Sequence, residues 1–221
     1  MSTPAAPSVG WRAPEVVEEL PSLRLLVAEV EVGRTSSLTG VSPPDIQERL
    51  RERSSRFRGA RAVSIRLEPV PAAYRVFFRH IGLDPDVVRT PIERAVLERM
   101  IRGGFPTGGL LADVLLIALA DTGVPVWALA SDTLEGSPGI RETVEGEQLG
   151  AGRHERLLPA GRLVVADSRQ ALAVLFDEPA RAHAPRGDTR AVTLFAVQVA
   201  GVPTLFAEEA LWSAASALEA P

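Results

Sequence analysis

The sequence predicts an α+β fold, on three observations. Helical periodicity fills the first half of the 221 residues, short apolar strands take over after Gly123, and one helical segment closes the chain. Strands do not alternate with helices, so a doubly wound parallel sheet is not expected. The helices of 74–121 should pack on strands drawn from 124–200, with a predominantly antiparallel or mixed sheet. The whole chain, 1–221, reads as one domain, because its linker candidates are short and no internal repeat is visible.

Residues 1–20, rich in Pro, Ala and Glu, read as an N-terminal tail with one short helix. In 23–32, Ala28, Val30 and Val32 alternate with Glu29 and Glu31, the period of a half-buried strand. Ser42-Pro43-Pro44-Asp45 then opens a helix with Ile46, Leu50 and Phe57 on one face. Residues 63–67 read as a short strand. Pro69 and Pro71 precede Ala73, Val76, Phe77 and His80, spaced i, i+3, i+4, i+7, a helix that Gly82 and Pro85 close. Thr90-Pro91-Ile92-Glu93 has the form of a capping box with Pro at the first helical position. That helix continues through Val96 and Met100 to Gly103-Gly104. After the turn at 106–109, residues 110–121 are apolar nearly all round, which predicts a buried helix ended by Gly123. Strands follow at 124–130, 140–144, 163–166, 171–176 and 191–199, separated by Gly-, Pro- and Asp-rich turns. The last helix, 208–218, places Leu211, Ala215 and Leu218 on one face.

Composition removes several chemistries. With 46% hydrophobic residues and a mean hydropathy of +0.10, the chain can build a core and is not globally disordered. The absence of Cys excludes disulfides, a thiolate nucleophile and Cys-containing zinc sites. All 24 basic residues are Arg, so Schiff-base chemistry and a P-loop lysine are excluded. His80, His154 and His183 are too far apart to form a metal-binding pair, and no metal or cofactor is expected. The first residues lack the order of a signal peptide, and 110–120, interrupted by Asp113, is too short for a bilayer. A cytoplasmic protein without membrane association is the expectation.

The polar residues have structural readings as well as functional ones. Asp113, in the first turn of the buried helix, suits the free N–H groups there. His80 suits the carbonyls at a helix C-terminus, and His154 and His183 should be exposed in loops. The segment 103–109 reads equally as an anion cradle or a plain connector. No Gly-x-Ser-x-Gly elbow and no acid–base carboxylate pair is identifiable. The net charge of −4 divides unevenly, +7 in 49–102 and −11 elsewhere. Arg49, Arg53 and Arg56 form an i, i+4, i+7 row beside the apolar face of their helix. Free of carboxylates, that row could meet nucleic-acid phosphates; paired, it is a solvated helix side, the reading that a pI near 5.5 favours.

A family resemblance adds to this. Tyr74-Arg75, Leu83-Asp84-Pro85, Arg89-Thr90-Pro91, the run 106–113, Val124-Pro125-Val126 and the run 159–167 occur in the order typical of stand-alone B3/B4-domain proteins. That family resembles the tRNA-editing module of the phenylalanyl-tRNA synthetase β subunit. Val124-Pro125-Val126-Trp127-Ala128-Leu129 is similar to its Gln-Pro-x-His-Ala-Phe, Asp132-Thr133-Leu134-Glu135-Gly136 to its Asp-x-Leu-x-Gly, and 163–167 to its Leu-Val-Ile-Ala-Asp. The likeness spans about 20–200. It departs at polar positions: Trp127 stands for His, Phe195 and Gln198 stand where Glu is usual, and Leu175-Phe176-Asp177-Glu178 replaces a glycine-rich loop. Gly109, Leu110 and Leu116 replace Asn, and a Thr-Asp-Ala-Ser segment is absent.

The resemblance implies a module that binds tRNA or aminoacyl-tRNA and deacylates mischarged tRNA. The alternative is a binder of a free amino acid or similar small molecule that keeps the fold without the chemistry. Thr107, Asp113, Trp127 and Thr189 would face the pocket, with Arg89 or Arg141 meeting a carboxylate or phosphate. Arg49, Arg53 and Arg56 would contact nucleic acid.

Overall fold

The N-terminal residues tie two sheets together in the computed structural model, which describes residues 6–33, 36–150 and 155–219. Strand β1 (Ser8–Val9) and strand β2 (Trp11–Arg12) are two residues each and belong to different sheets. A tail was expected here; the short helix alone, α1 (Pro14–Glu19), matches that expectation. Two-residue strands show no period, so only their partners reveal them. The Trp11 indole N–H donates to the Ser137 carbonyl at 2.7 Å, and its ring lies against Gly139, where any Cβ would collide.

The alternation at 23–32 becomes β3 (Arg24–Glu31), which pairs antiparallel with β1, Ser8 opposite Val27. In α2 (Pro44–Arg56), Ile46 and Leu50 are buried as expected, and Phe57 is buried at its C-cap. Next come α3 (Gly59–Ser64) and a 3-10 turn, Ile65–Leu67, where a strand was expected. The Glu68 N–H bonds back to the Ile65 carbonyl at 3.1 Å. A helical turn satisfies its backbone locally, whereas an unpaired strand would leave those groups open.

Helix α4 (Pro69–His80) is present but rotated from its expected face: Val70, Tyr74, Phe77 and Phe78 are buried, while Val76 and His80 are exposed. The aromatic rings occupy the core because each removes more apolar area from water than valine or alanine does. In α5 (Pro91–Arg102) the capping box forms, Glu93 accepting from the Thr90 backbone N–H (3.2 Å) and hydroxyl (2.6 Å). Helix α6 (Leu110–Thr122) starts after Gly109, at φ 98°, where an added Cβ would lie 2.9 Å from the Thr39 carbonyl oxygen.

The strands after Gly123 are β4 (Val126–Ala130), β5 (Gly139–Glu142), the short pair β6 (Gln148–Leu149) and β7 (Arg156–Leu157), β8 (Leu163–Ala166), β9 (Ala171–Val174) and β10 (Ala191–Gln198); α7 (Thr204–Glu219) closes the chain. One sheet has the order β1-β3-β10-β4 and is antiparallel throughout. The other is β2-β5-β8-β9, antiparallel except for the parallel β2–β5 pair. The fold is thus α+β. Helices α6 and α7 pack together, and α7 lies on β3 and β10. One apolar cluster includes Leu50, Ile117, Val165, Phe195 and Leu211, so helices and both sheets share it. On β8, Leu163 and Val165 belong to that cluster while Val164 and Ala166 belong to a smaller one. Burial on both faces explains why that strand is a continuous apolar run.

Candidate functional site

The all-round apolar character of α6 has a consequence at the edge of the first sheet. Its Leu111, Leu115 and Leu116 line one wall of a cavity of about 420 Å³, with Ala95 of α5 and Trp127 of β4. Arg94, Glu98 and Glu178 supply its charged groups. Behind them, Trp127 stacks on Phe195 with centroids 5.6 Å apart and planes 18° from parallel. Phe176 meets Trp127 at 6.1 Å and also contacts Tyr74, Phe77 and Phe78. The Tyr74 hydroxyl donates to the Val197 carbonyl at 2.7 Å; burial pushes its pKa up, so it stays a neutral donor.

Phe176 holds this cluster through a strained backbone. Its φ of 66° lies in the left-handed region, which a side chain with a Cβ adopts at a cost of about 1–2 kcal/mol. The turn brings Glu178 to the cavity. Partial desolvation by neighbouring protein atoms pushes the pKa of the Glu178 carboxyl up, against the pull of Arg94 and with the repulsion of Asp177. Its surface still reaches solvent, so the group can exchange protons.

The six expected pocket residues do not converge. Trp127 alone reaches this cavity. Thr107 is exposed before α6. Asp113 is 1% exposed and accepts from the Ser42 hydroxyl at 2.6 Å and the Gly108 N–H at 2.8 Å. It latches the chain before α2 to the start of α6. The amides of Leu110 and Leu111 donate to the carbonyls of Gly40 and Leu38, so 103–109 is a connector and its following amides are committed. Thr189 borders another cavity of about 380 Å³, where its hydroxyl accepts from the Arg186 N–H at 2.8 Å. Arg89 borders one of about 250 Å³ beside the Arg75–Glu93 pair. Arg141 is committed to Glu147 through two contacts, at 2.8 and 2.5 Å.

Carboxylates meet most of the Arg row. Asp121 contacts Arg53 at 2.7 Å and Arg56 at 3.4 Å, and Glu52 contacts Arg53 at 3.1 Å. Arg49 is half-buried, with no ion-pair partner among the described residues. His183, expected to be exposed, is 6% exposed: its Nδ1 meets the Thr133 hydroxyl at 3.0 Å and its carbonyl accepts from Ala130 at 2.8 Å. Burial lowers its pKa, opposed by the charge of Asp167. His154 lies outside the described residues. Sequence reasoning missed Arg94, Glu98 and Glu178, since residues 80 positions apart share no spacing signal. Among the described residues, no group of His, Asp and Glu could hold a metal, and no helix is long and apolar enough to cross a membrane.

Comparison with known proteins adds relatives. The chain is 33% identical over 117 residues to phenylalanine–tRNA ligase β subunits from two strains of Xanthomonas oryzae pv. oryzae, MAFF 311018 and KACC10331 / KXO85. These are synthetase subunits. The match covers 52% of this chain and 14% of each ligase subunit, so the chain corresponds to a small part of their length. The ligase β subunit of Xanthomonas euvesicatoria pv. vesicatoria (strain 85-10) is 36% identical over 90 residues, 40% of this chain and 11% of the relative. No family model matches the chain.

Proposed function

We propose that the chain is a one-domain module of the B3/B4 kind that holds an aminoacyl group of aminoacyl-tRNA in the cavity beside Trp127 and does not hydrolyse it. The likeness to ligase β subunits supports a tRNA-related role. The observation that carries the non-hydrolytic reading is the Trp127–Phe195 stack closed by Phe176. These are positions where the resemblance implies polar residues able to orient a water; the phenyl rings offer no such group, and the Trp127 indole offers one donor and no base. An apolar wall with a few charged groups suits a small ligand. Glu178 would accept its ammonium group. Thr107, Thr189, Arg89 and Arg141 take no part in this cavity.

A free amino acid is the second reading, and the carboxylates against Arg53 and Arg56 favour it, since paired guanidiniums attract phosphates weakly. The test is a deacylation and binding assay with tyrosine- and phenylalanine-charged tRNA. The expected result is salt-sensitive binding without turnover above the spontaneous rate. Turnover would overturn the non-hydrolytic reading. Absence of tRNA binding, with amino acids raising the melting temperature of the native chain more than that of Glu178→Gln, would select the second reading. Saturating ligand at one hundred times Kd stabilises by about 2.7 kcal/mol. Neither response would remove both.

A further inference from the structure

A different cavity, of about 300 Å³, opens where α1 and the C-terminal end of α4 meet the turn before β8. Leu20, Leu83, Leu163 and Leu175 give it an apolar lining, and Glu142, at the end of β5, and Arg162, in the turn just before β8, add opposite charges to it. Glu142 and Arg162 are half-buried, and neither side chain has an ion-pair or hydrogen-bond partner among the described residues; Glu19 and His80, both exposed, also line the cavity. Elsewhere the buried guanidiniums are satisfied, Arg75 by Asp86 and Glu93 and Arg99 by the Ser54 carbonyl, and the half-buried Arg141 is paired with Glu147; Arg49, half-buried without an ion-pair partner among the described residues, lines no cavity described above. Half-buried charges give up part of their hydration, so an unpaired cation and anion around one cavity suit a ligand that carries both opposite charges. The volume lies at the lower end of ligand pockets, about 300–1,000 Å³, which restricts the ligand to a small molecule.

We propose that this cavity binds a free α-amino acid with an apolar side chain. Arg162 takes its carboxylate, Glu142 takes its ammonium, and the leucines take its side chain. The guanidinium offers a planar pair of donors to a carboxylate, which suits it to that end. None of these residues lines the cavity beside Trp127, so the inference stands independently of the tRNA-related reading.

Titration calorimetry of the full chain with L-leucine, 4-methylpentanoate (no ammonium) and isoamylamine (no carboxylate) tests it. L-leucine should bind, and each analogue should bind at least about tenfold more weakly. Arg162→Gln should weaken L-leucine and leave isoamylamine unchanged, Glu142→Gln should weaken L-leucine and leave 4-methylpentanoate unchanged, and Arg162→Lys should restore part of the loss of Arg162→Gln. Glu178→Gln, an exposed change at the other cavity, should change none of these. No heat at millimolar L-leucine, equal binding of all three ligands, or loss of binding in Glu178→Gln but not Arg162→Gln would overturn the proposal.

Discussion

Phe176 shows how one residue trades backbone strain for packing. Its ring meets Tyr74, Phe77, Phe78 and Trp127 from a left-handed backbone. Phe176→Ala should cost about 3–5 kcal/mol, whereas Phe176→Gly, which keeps the conformation without strain, should unfold at higher urea than Phe176→Ala. Equal midpoints would show that the φ of 66° stores no strain. Two titratable residues make opposite pH predictions. The His183 pKa is below its ordinary 6.5 in the folded chain, so the unfolded chain binds more protons just below that pH. Stability therefore falls as pH drops through 6.5, and His183→Gln should flatten that limb. Glu178 is raised above its ordinary 4.5, so the native state holds the extra proton and stability falls as pH rises through 4.5. Glu178→Gln should remove that fall in a urea-midpoint series against pH.

At the scale of elements, the start of α6 depends on a residue without a side chain. Gly109→Ala meets both a φ of 98° and the Thr39 carbonyl at 2.9 Å, whereas Gly82→Ala meets a φ of 77° and open space. Both should lose about 1–2 kcal/mol to the left-handed backbone, and Gly109→Ala should lose more by forcing the Thr39 segment away. Equal denaturation midpoints would show that this segment yields freely. Most elements are legible from residue pattern alone. The capping box at Thr90 and the alternation in β3 are local patterns, and both form. Residues 63–67 and the buried face of α4 escape such a reading, because five residues show no period and α4 carries two competing apolar stripes.

The whole molecule depends on its N-terminal segment. Because β1 and β2 join different sheets, deleting residues 1–12 should expose edges of β3 and β5 together and lower the urea midpoint. An unchanged midpoint would return the segment to the role of a tail. Charge is decided at the same scale. The row of Arg49, Arg53 and Arg56 is visible in the sequence, but Asp121, more than 60 positions away, meets two of its members. Changing all three to Glu should leave any tRNA affinity unchanged if the row is only a solvated face, and abolish it if the row contacts phosphates.

The sequence by itself determined the α+β class, the chemistries excluded by its missing Cys and Lys, and most of the helices and strands, because composition and periodicity act over neighbouring residues. Tertiary structure decided the rest. It placed Glu178 beside α5, buried His183, closed the aromatic stack over Trp127 and brought Glu142 and Arg162, without a partner among the described residues, to one cavity. Each of these joins side chains from separate elements, and such meetings follow from how the sheets and helices pack, which no local pattern encodes.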